Sequence, residues 1–114
     1  MQHGIIFYNN IITVLPRILE GPRSQEVLEG NNTHLSCNAD GRPRPNITWD
    51  VEEEDVEMNV MYRKNGFLEL QNVKSNGQYT FTVICIASNK GGNTTANATI
   101  TILGKFMLFF FYRL

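Results

Sequence analysis

Few residues of this chain have the type and spacing that covalent chemistry needs. Its two cysteines, Cys37 and Cys85, are too few for a four-ligand zinc site or for a small scaffold held by several disulfides. One bond between them would close a long loop and stabilise the fold by on the order of 4 kcal/mol in the chain-entropy account. Two buried free thiols in a cytosolic protein would fit the same pair, so the cysteines alone do not identify the compartment.

No side chains are spaced as a nucleophile with its base, as a phosphate-binding glycine loop or as a metal-binding cluster. The only histidines are His3 and His34, and His34 falls on the predicted solvent face of a strand. The acidic run at 50–57 lacks the spaced ligands and the central glycine of a calcium loop. We therefore predict that the chain is not an enzyme and has no catalytic residues, no bound metal and no cofactor.

Four asparagines begin an Asn-x-Ser/Thr motif, the acceptor for N-linked glycans: Asn31, Asn46, Asn93 and Asn97. This is more than the composition gives by chance, although polar turn residues can match the motif by coincidence. The motifs predict glycosylation at these four positions and an extracellular or cell-surface location.

The length and net charge of the chain limit the number of domains and the kinds of partner it can have. A chain of 114 residues has room for one domain. Its formal net charge of −1 argues against nucleic-acid binding, which requires clustered Lys and Arg to neutralise phosphates.

Apolar and polar residues alternate with a period of two over most of the chain, which is typical of strands with one buried face. Leu35 and Cys37 alternate with polar residues, as do Ile47 and Trp49. Further along, a set of apolar residues shares one parity: Tyr79, Phe81, Val83, Cys85 and Ala87. Clusters of Gly, Pro, Asn and Ser separate these segments. The pattern predicts an all-β fold of two antiparallel sheets. The parity also places Asn46, Asn93 and Asn97 on solvent faces, and Asn31 in a turn.

The run from Val27 to Trp49, with Leu35-x-Cys37-x-Ala39-x-Gly41-x-Pro43-x-Pro45-x-Ile47-x-Trp49, resembles the first half of an I-set immunoglobulin domain. Cys85-x-Ala87-x-Asn89-x-x-Gly92 is similar to that family's second cysteine and the turn after it. The resemblance covers 16–103. It implies an immunoglobulin-like β-sandwich with Greek-key connections, a Cys37–Cys85 disulfide between the sheets, and Trp49 packed on that disulfide with Leu35 in the core.

Tyr79 departs from the family pattern. The family usually has a Tyr two residues before the second cysteine, where Val83 stands here. Tyr79 lies four positions earlier, with the same parity, so we expect it to point into the core but about 13 Å further from the disulfide, which leaves the family's tyrosine corner an open question.

Both ends differ from the centre, which defines three regions. Residues 1–15 form an uncertain leader, either a weak signal peptide or a misplaced start, and 16–104 form the I-set domain. Residues 105–114 form an apolar tail, too short to span a bilayer, that is either the start of a truncated transmembrane helix or translated intron. Membrane attachment would occur only through such a missing or truncated anchor.

These features predict an extracellular protein-binding module of cell adhesion or cell-surface recognition. Its partners would be other cell-surface or matrix proteins, or further copies of itself, and not nucleic acids. One alternative is the ligand-binding ectodomain fragment of a signalling receptor, such as a receptor tyrosine kinase. Another is an intracellular, muscle-type I-set scaffold domain, which the Asn-x-Ser/Thr motifs disfavour.

A partner surface is suggested by Arg42 and Arg44, which are opposite in sign to the acidic run at 50–57. The two groups could dock head to tail with copies or with neighbouring domains.

Overall fold

The computed structural model describes residues 4–8, 11–63 and 66–104. These ranges contain ten β-strands: β1 (Ile5–Tyr8), β2 (Ile11–Glu20), β3 (Gln25–Leu28), β4 (Thr33–Ser36), β5 (Asn38–Arg42), β6 (Asn46–Glu52), β7 (Val56–Arg63), β8 (Phe67–Ser75), β9 (Thr80–Asn89) and β10 (Gly92–Leu103).

The strands form two layers. One layer is the sheet β3-β10-β9-β6, in which β3 runs parallel to β10 and the other pairs are antiparallel. The other layer contains the sheets β4-β8-β7 and β1-β2-β5, which meet where β4 and β5 follow one another around Cys37. The predicted all-β immunoglobulin-like sandwich is confirmed.

The core lies between the layers and follows from the alternation of the strands. Along β9 every second residue is buried, at Phe81, Val83, Cys85 and Ala87. Residues from the other strands of this sheet and from the facing layer complete a cluster in which side chains are between 0 and 8% exposed. Its members are Val27, Leu35, Cys37, Trp49, Leu68, Leu70, Val73, Phe81, Val83, Cys85, Ala98, Ile100 and Ile102.

The N-terminal part of the domain changes sheets between β2 and β3. Residues 21–24 lie outside any ladder, and Pro22 among them has no N–H to donate. After this break, the Ser24 hydroxyl accepts a hydrogen bond from the Thr99 N–H at 2.9 Å. This contact places the chain beside β10, with which β3 then pairs.

Gly66 allows the backbone before β8 to approach Cys37. The Cys37 N–H donates to the Gly66 carbonyl at 3.0 Å, and Gly66 has a φ of +79°. A Cβ at this position would overlap the Cys37 carbonyl oxygen. Glycine is therefore required here both by the backbone angle and by the available space.

The expectation that Tyr79 points into the core is wrong: its side chain is 50% exposed. The alternation that predicted it holds only inside the ladder, and β9 begins one residue later, at Thr80. Phe81 takes the first inward position of the strand and is 3% exposed. Tyr79 contributes instead through its backbone carbonyl, which accepts from the Ile102 N–H at 2.7 Å.

Parts of the terminal regions are described as well. Residues 5–15, inside the predicted leader, contain β1 and the first part of β2, which pair antiparallel from Ile5↔Val14 to Tyr8↔Ile11. The predicted tail at 105–114 lies outside the described residues. Among the described residues, no helix has the length and hydropathy to cross a bilayer.

Candidate partner-binding surface

The predicted disulfide holds the two layers together beneath the surfaces described below. Cys37 and Cys85 are bonded, with their Cα atoms 6.4 Å apart. Trp49 is the cross-strand partner of Cys85 and is 8% exposed, and Leu35 is 2% exposed, so both lie in the core as expected. Within the described ranges, the buried Trp49 Nε1 has no hydrogen-bond partner.

The outer face of the sheet β3-β10-β9-β6 is polar and rich in threonine and asparagine. Its rows run across three strands in register. Asn93, Ser88 and Asn46 form one row. Three further rows follow along the strands, each given in the order β10, β9, β6: Thr95–Ile86–Thr48, then Asn97–Ile84–Asp50, then Thr99–Thr82–Glu52.

Three of the four predicted glycan acceptors lie on this one face. Asn46 is on β6, and Asn93 and Asn97 are on β10, with all three side chains exposed. Asn31 is also exposed, but it lies in the connection between β3 and β4, where its carbonyl accepts from the Val73 N–H at 3.1 Å. Glycans at the first three positions would cover this sheet, whereas a glycan at Asn31 would stand beside β8 of the opposite layer.

The predicted partner-binding arginines and the acidic run occupy opposite ends of β6. Arg42 ends β5, Arg44 lies in the connection before β6, and both are exposed. The acidic run contributes the last residues of β6 and the connection at 53–55. At ~3.3 Å per residue the seven residues of β6 span roughly 20 Å, so the two groups cannot pair within one domain.

Asn89 fixes the segment that carries these arginines. Its Nδ2 donates to the Val14 carbonyl at 2.8 Å and to the Pro43 carbonyl at 3.0 Å, and its Oδ1 accepts from the Gly91 N–H at 2.8 Å. The side chain thereby joins β2, the connection that follows β5 and the turn between β9 and β10. Sequence reasoning treated Asn89 only as a turn and motif residue, because none of these partners is close to it in the chain except Gly91.

An open depression of about 490 Å³ lies at the acidic end. It is lined by Glu52, Glu53 and Glu54 and by Gln78, Thr80, Phe81, Thr82 and Thr99. Gln78 Oε1 accepts from the Glu54 and Asp55 N–H groups at 3.3 Å and holds the connection in place. No group of three His, Cys, Asp or Glu side chains in the described ranges could hold a metal ion.

The outer face of the sheet β4-β8-β7 carries exposed apolar side chains. Phe67 is 46% exposed and Met61 is 39% exposed. A shallow depression of about 280 Å³ lies beside them and is lined by His34, Phe67, Leu68 and Glu69. The parity of Phe67, opposite to that of the buried Leu68 and Leu70, was the signal in the sequence for this outward aromatic side chain, and sequence reasoning missed it.

Comparison with known proteins gives a consistent result. The family model of the immunoglobulin I-set domain matches residues 16–102. The chain is 34% identical over 96 residues to receptor-type tyrosine-protein phosphatase F of Rattus norvegicus, covering 83% of this chain and 5% of that protein. It is equally 34% identical over 96 residues to the smooth-muscle myosin light chain kinase of Gallus gallus, covering 78% of this chain and 5% of the kinase. The chain thus spans about 5% of the length of these curated relatives.

The fold has counterparts among solved structures. The tandem Ig repeats of Dlar superpose with a TM-score of 0.62 at 29% identity, covering 80% of this chain and 50% of that chain. The match to half of a tandem structure agrees with a single domain in the described part of this chain.

Proposed function

Because this chain belongs to the immunoglobulin I-set family, we propose that it is an extracellular protein-binding module of cell adhesion or cell-surface recognition. Domains of this architecture bind other proteins through sheet faces, strand edges and loops. The partners are cell-surface or matrix proteins, including other copies of the chain. The domain region at 16–104 carries this function.

The observation that carries the proposal is the placement of the four Asn-x-Ser/Thr motifs. A glycan needs a surface position, and Asn31, Asn46, Asn93 and Asn97 are all exposed. Threonine, the third residue of each motif, is a common strand residue, so the motifs themselves fit the strands at no cost to the core. The disulfide supports the same location, since such bonds persist in oxidising compartments.

A signalling receptor is a second candidate, supported by the match to a receptor-type tyrosine-protein phosphatase. In that case the chain is a ligand-binding fragment of a receptor's outer part. An intracellular, muscle-type scaffold role draws support from the equal identity to a smooth-muscle kinase. The exposed motifs and the disulfide favour an extracellular location over the scaffold.

Arg42 and Arg44 are proposed contacts to an acidic surface on a partner or a neighbouring domain. Both are exposed, and within the described ranges neither takes part in an ion pair, whereas Arg17 pairs with Asp40 at 3.1 Å. The guanidinium groups present several donors in a fixed fork that matches carboxylates.

The binding function is tested with beads that carry the secreted, oxidised 114-residue chain. We expect the beads to attach to cells and to lose attachment when protease removes the surface proteins. Beads that carry the reduced and unfolded chain are the control. Attachment that survives protease, or that is equal for the unfolded chain, would contradict the proposal.

The arginine contact is tested in the same assay with Arg42→Glu/Arg44→Glu. We expect the double reversal to reduce attachment severalfold. The matched control is Arg23→Glu/Lys74→Glu, which makes the same change in charge at two other exposed positions. An equal effect of the two double variants would assign the loss to net charge and reject a contact at Arg42 and Arg44.

A further inference from the structure

We propose that β7 is a dimerisation edge, at which a second copy of this chain adds its own β7 in antiparallel register. The proposal rests on the proposed function of a protein-binding module and specifies the partner and the strand. The two three-stranded sheets would join into one six-stranded sheet, β4-β8-β7 followed by its two-fold copy. Such an interface is isologous, with the same surface patch contributed by both chains.

The first argument is that β7 presents a free and regular edge. The strand pairs with β8 on one side and is the last strand of its sheet, so in the described part of the chain its other side has no strand partner. The register shifts between Glu57 and Asn59 because β8 has one residue more than β7 in this stretch. Asn72, in the extra part of β8, has a φ of +55°. The irregularity is therefore in β8, and β7 keeps an unbroken alternation of exposed and half-buried residues from Val56 to Met61.

The second argument is that β7 carries few of the features that protect natural edge strands. Such strands are usually very short, bulged, or marked by Pro or by charged side chains, Lys above all. The eight residues of β7, VEMNVMYR, contain neither Lys nor Pro, and their two charged residues, Glu57 and Arg63, are opposite in sign. The edge strand β6 of the other sheet carries two acidic residues, Asp50 and Glu52, together with the glycan motif at Asn46, and β3 has only four residues.

The third argument is charge complementarity. In an antiparallel pair of identical strands related by a two-fold axis at Val60, Glu57 stands opposite Arg63 of the second copy, and Arg63 opposite its Glu57. One arrangement thus sets an acidic residue against a basic one twice, and cross-strand pairs of opposite charge stabilise a sheet. Any other axis within this strand removes both matches, so the charges also define the register.

The same register joins apolar surface at its centre. It sets Asn59 opposite Met61 of the second copy and brings the two Met61 side chains onto a diagonal about 7–8 Å apart, within reach of long side chains. Met61 is 39% exposed, and Phe67 on the neighbouring strand is 46% exposed. Glycans at Asn46, Asn93 and Asn97 would project from the other sheet, and β7 contains no glycan motif.

The test is sedimentation velocity of the secreted 114-residue chain over a series of concentrations. We expect a monomer–dimer equilibrium in the wild-type protein. Glu57→Arg sets like charges opposite one another at both register positions, so it should raise the dimer dissociation constant by about tenfold or more, and Arg63→Glu should do the same. The double variant Glu57→Arg/Arg63→Glu restores the pairs and should return the constant to near the wild-type value.

The matched control is Glu26→Arg, an equal change of charge on the exposed side of β3. We expect it to leave the dissociation constant unchanged, and thermal unfolding of each variant checks that it is folded. A monomer at every concentration would overturn the proposal, as would a dimer that responds equally to Glu57→Arg and Glu26→Arg or that the double variant fails to restore. A wild-type monomer that still attaches to cells through surface proteins would overturn the β7 dimer alone and leave the binding function standing.

Discussion

Asn46 and Asn93 lie in one row across a single sheet face, because each is the cross-strand partner of Ser88 on β9. With strands about 4.7–4.9 Å apart, the two backbones are separated by roughly 10 Å. Two glycans attached at this distance from one another would lie side by side over one end of the sheet. If both sites carry glycans, this end of the sheet would be closed to a protein partner.

Removal of these glycan sites should change mass and leave stability unchanged. We expect Asn46→Gln, Asn93→Gln and Asn97→Gln each to remove one glycan from the secreted protein. Because the three side chains are exposed, the free energy of unfolding of the deglycosylated variants should stay within about 0.5 kcal/mol of the wild type. Intact mass and denaturant unfolding measure the two quantities. A variant that keeps its full mass would show that its asparagine carries no glycan.

Asn89, unlike the asparagines of the glycan motifs, should contribute to stability and carry no glycan. Its side chain makes three hydrogen bonds that join separate segments, so Asn89→Ala should destabilise the fold by roughly 1–3 kcal/mol and leave the mass of attached glycan unchanged. Denaturant unfolding checks this, with Asn93→Ala as the control. Equal stability of the two variants would contradict the bridging role of Asn89.

Gly66 and Gly30 provide a matched pair for the close approach to Cys37. Both have a left-handed backbone, with φ of +79° and +87°. A Cβ at Gly30 meets nothing within 4 Å, whereas one at Gly66 overlaps the Cys37 carbonyl. We expect Gly30→Ala to cost about 1 kcal/mol, from the backbone alone, and Gly66→Ala to cost roughly 3 kcal/mol or more. Equal costs in thermal or denaturant unfolding would show that the backbone near Cys37 moves aside.

Trp49 should tolerate loss of its ring nitrogen better than loss of its volume. Its buried Nε1 has no hydrogen-bond partner in the described ranges, so Trp49→Phe removes no such bond and leaves only a modest cavity. We expect Trp49→Ala to cost about 3–5 kcal/mol and Trp49→Phe clearly less. Leu35→Ala, at another core position, should cost about 2–5 kcal/mol. A Phe variant as unstable as the Ala variant would indicate a partner for the nitrogen.

Short-range periodicity predicted most of the architecture. Leu35 and Trp49 alternate with polar neighbours, and that alternation fixes which face they bury. Cys85 stands between Ile84 and Ile86, and it was the spacing of Cys37, Trp49 and Cys85 that indicated the family, which the comparison then confirmed. The burial of Tyr79 was predicted wrongly because the parity of a residue does not show where a strand ladder begins. The roles of Gly66 and Asn89 depend on partners far along the chain, which a single sequence does not reveal.

The proposed partner surface was the least predictable part. Phe67 and Met61 occupy outward positions of β8 and β7, and the parity that places them there does not show that an apolar side chain on the solvent face has a function. The free edge of β7 follows from the order of strands in the sheet, and that order is set by long-range pairing. A contact at Arg42 and Arg44 stays a prediction from the sequence; the structure places both side chains at the surface.

The most direct test of the central claim is the mass of the 114-residue chain secreted from a eukaryotic cell behind a borrowed signal. Mass is recorded with and without glycosidase, and after thiol labelling with and without reductant. We predict glycan on several of the four asparagines and two thiols that accept label only after reduction. An unglycosylated chain with two free thiols would contradict an extracellular domain and favour the intracellular scaffold.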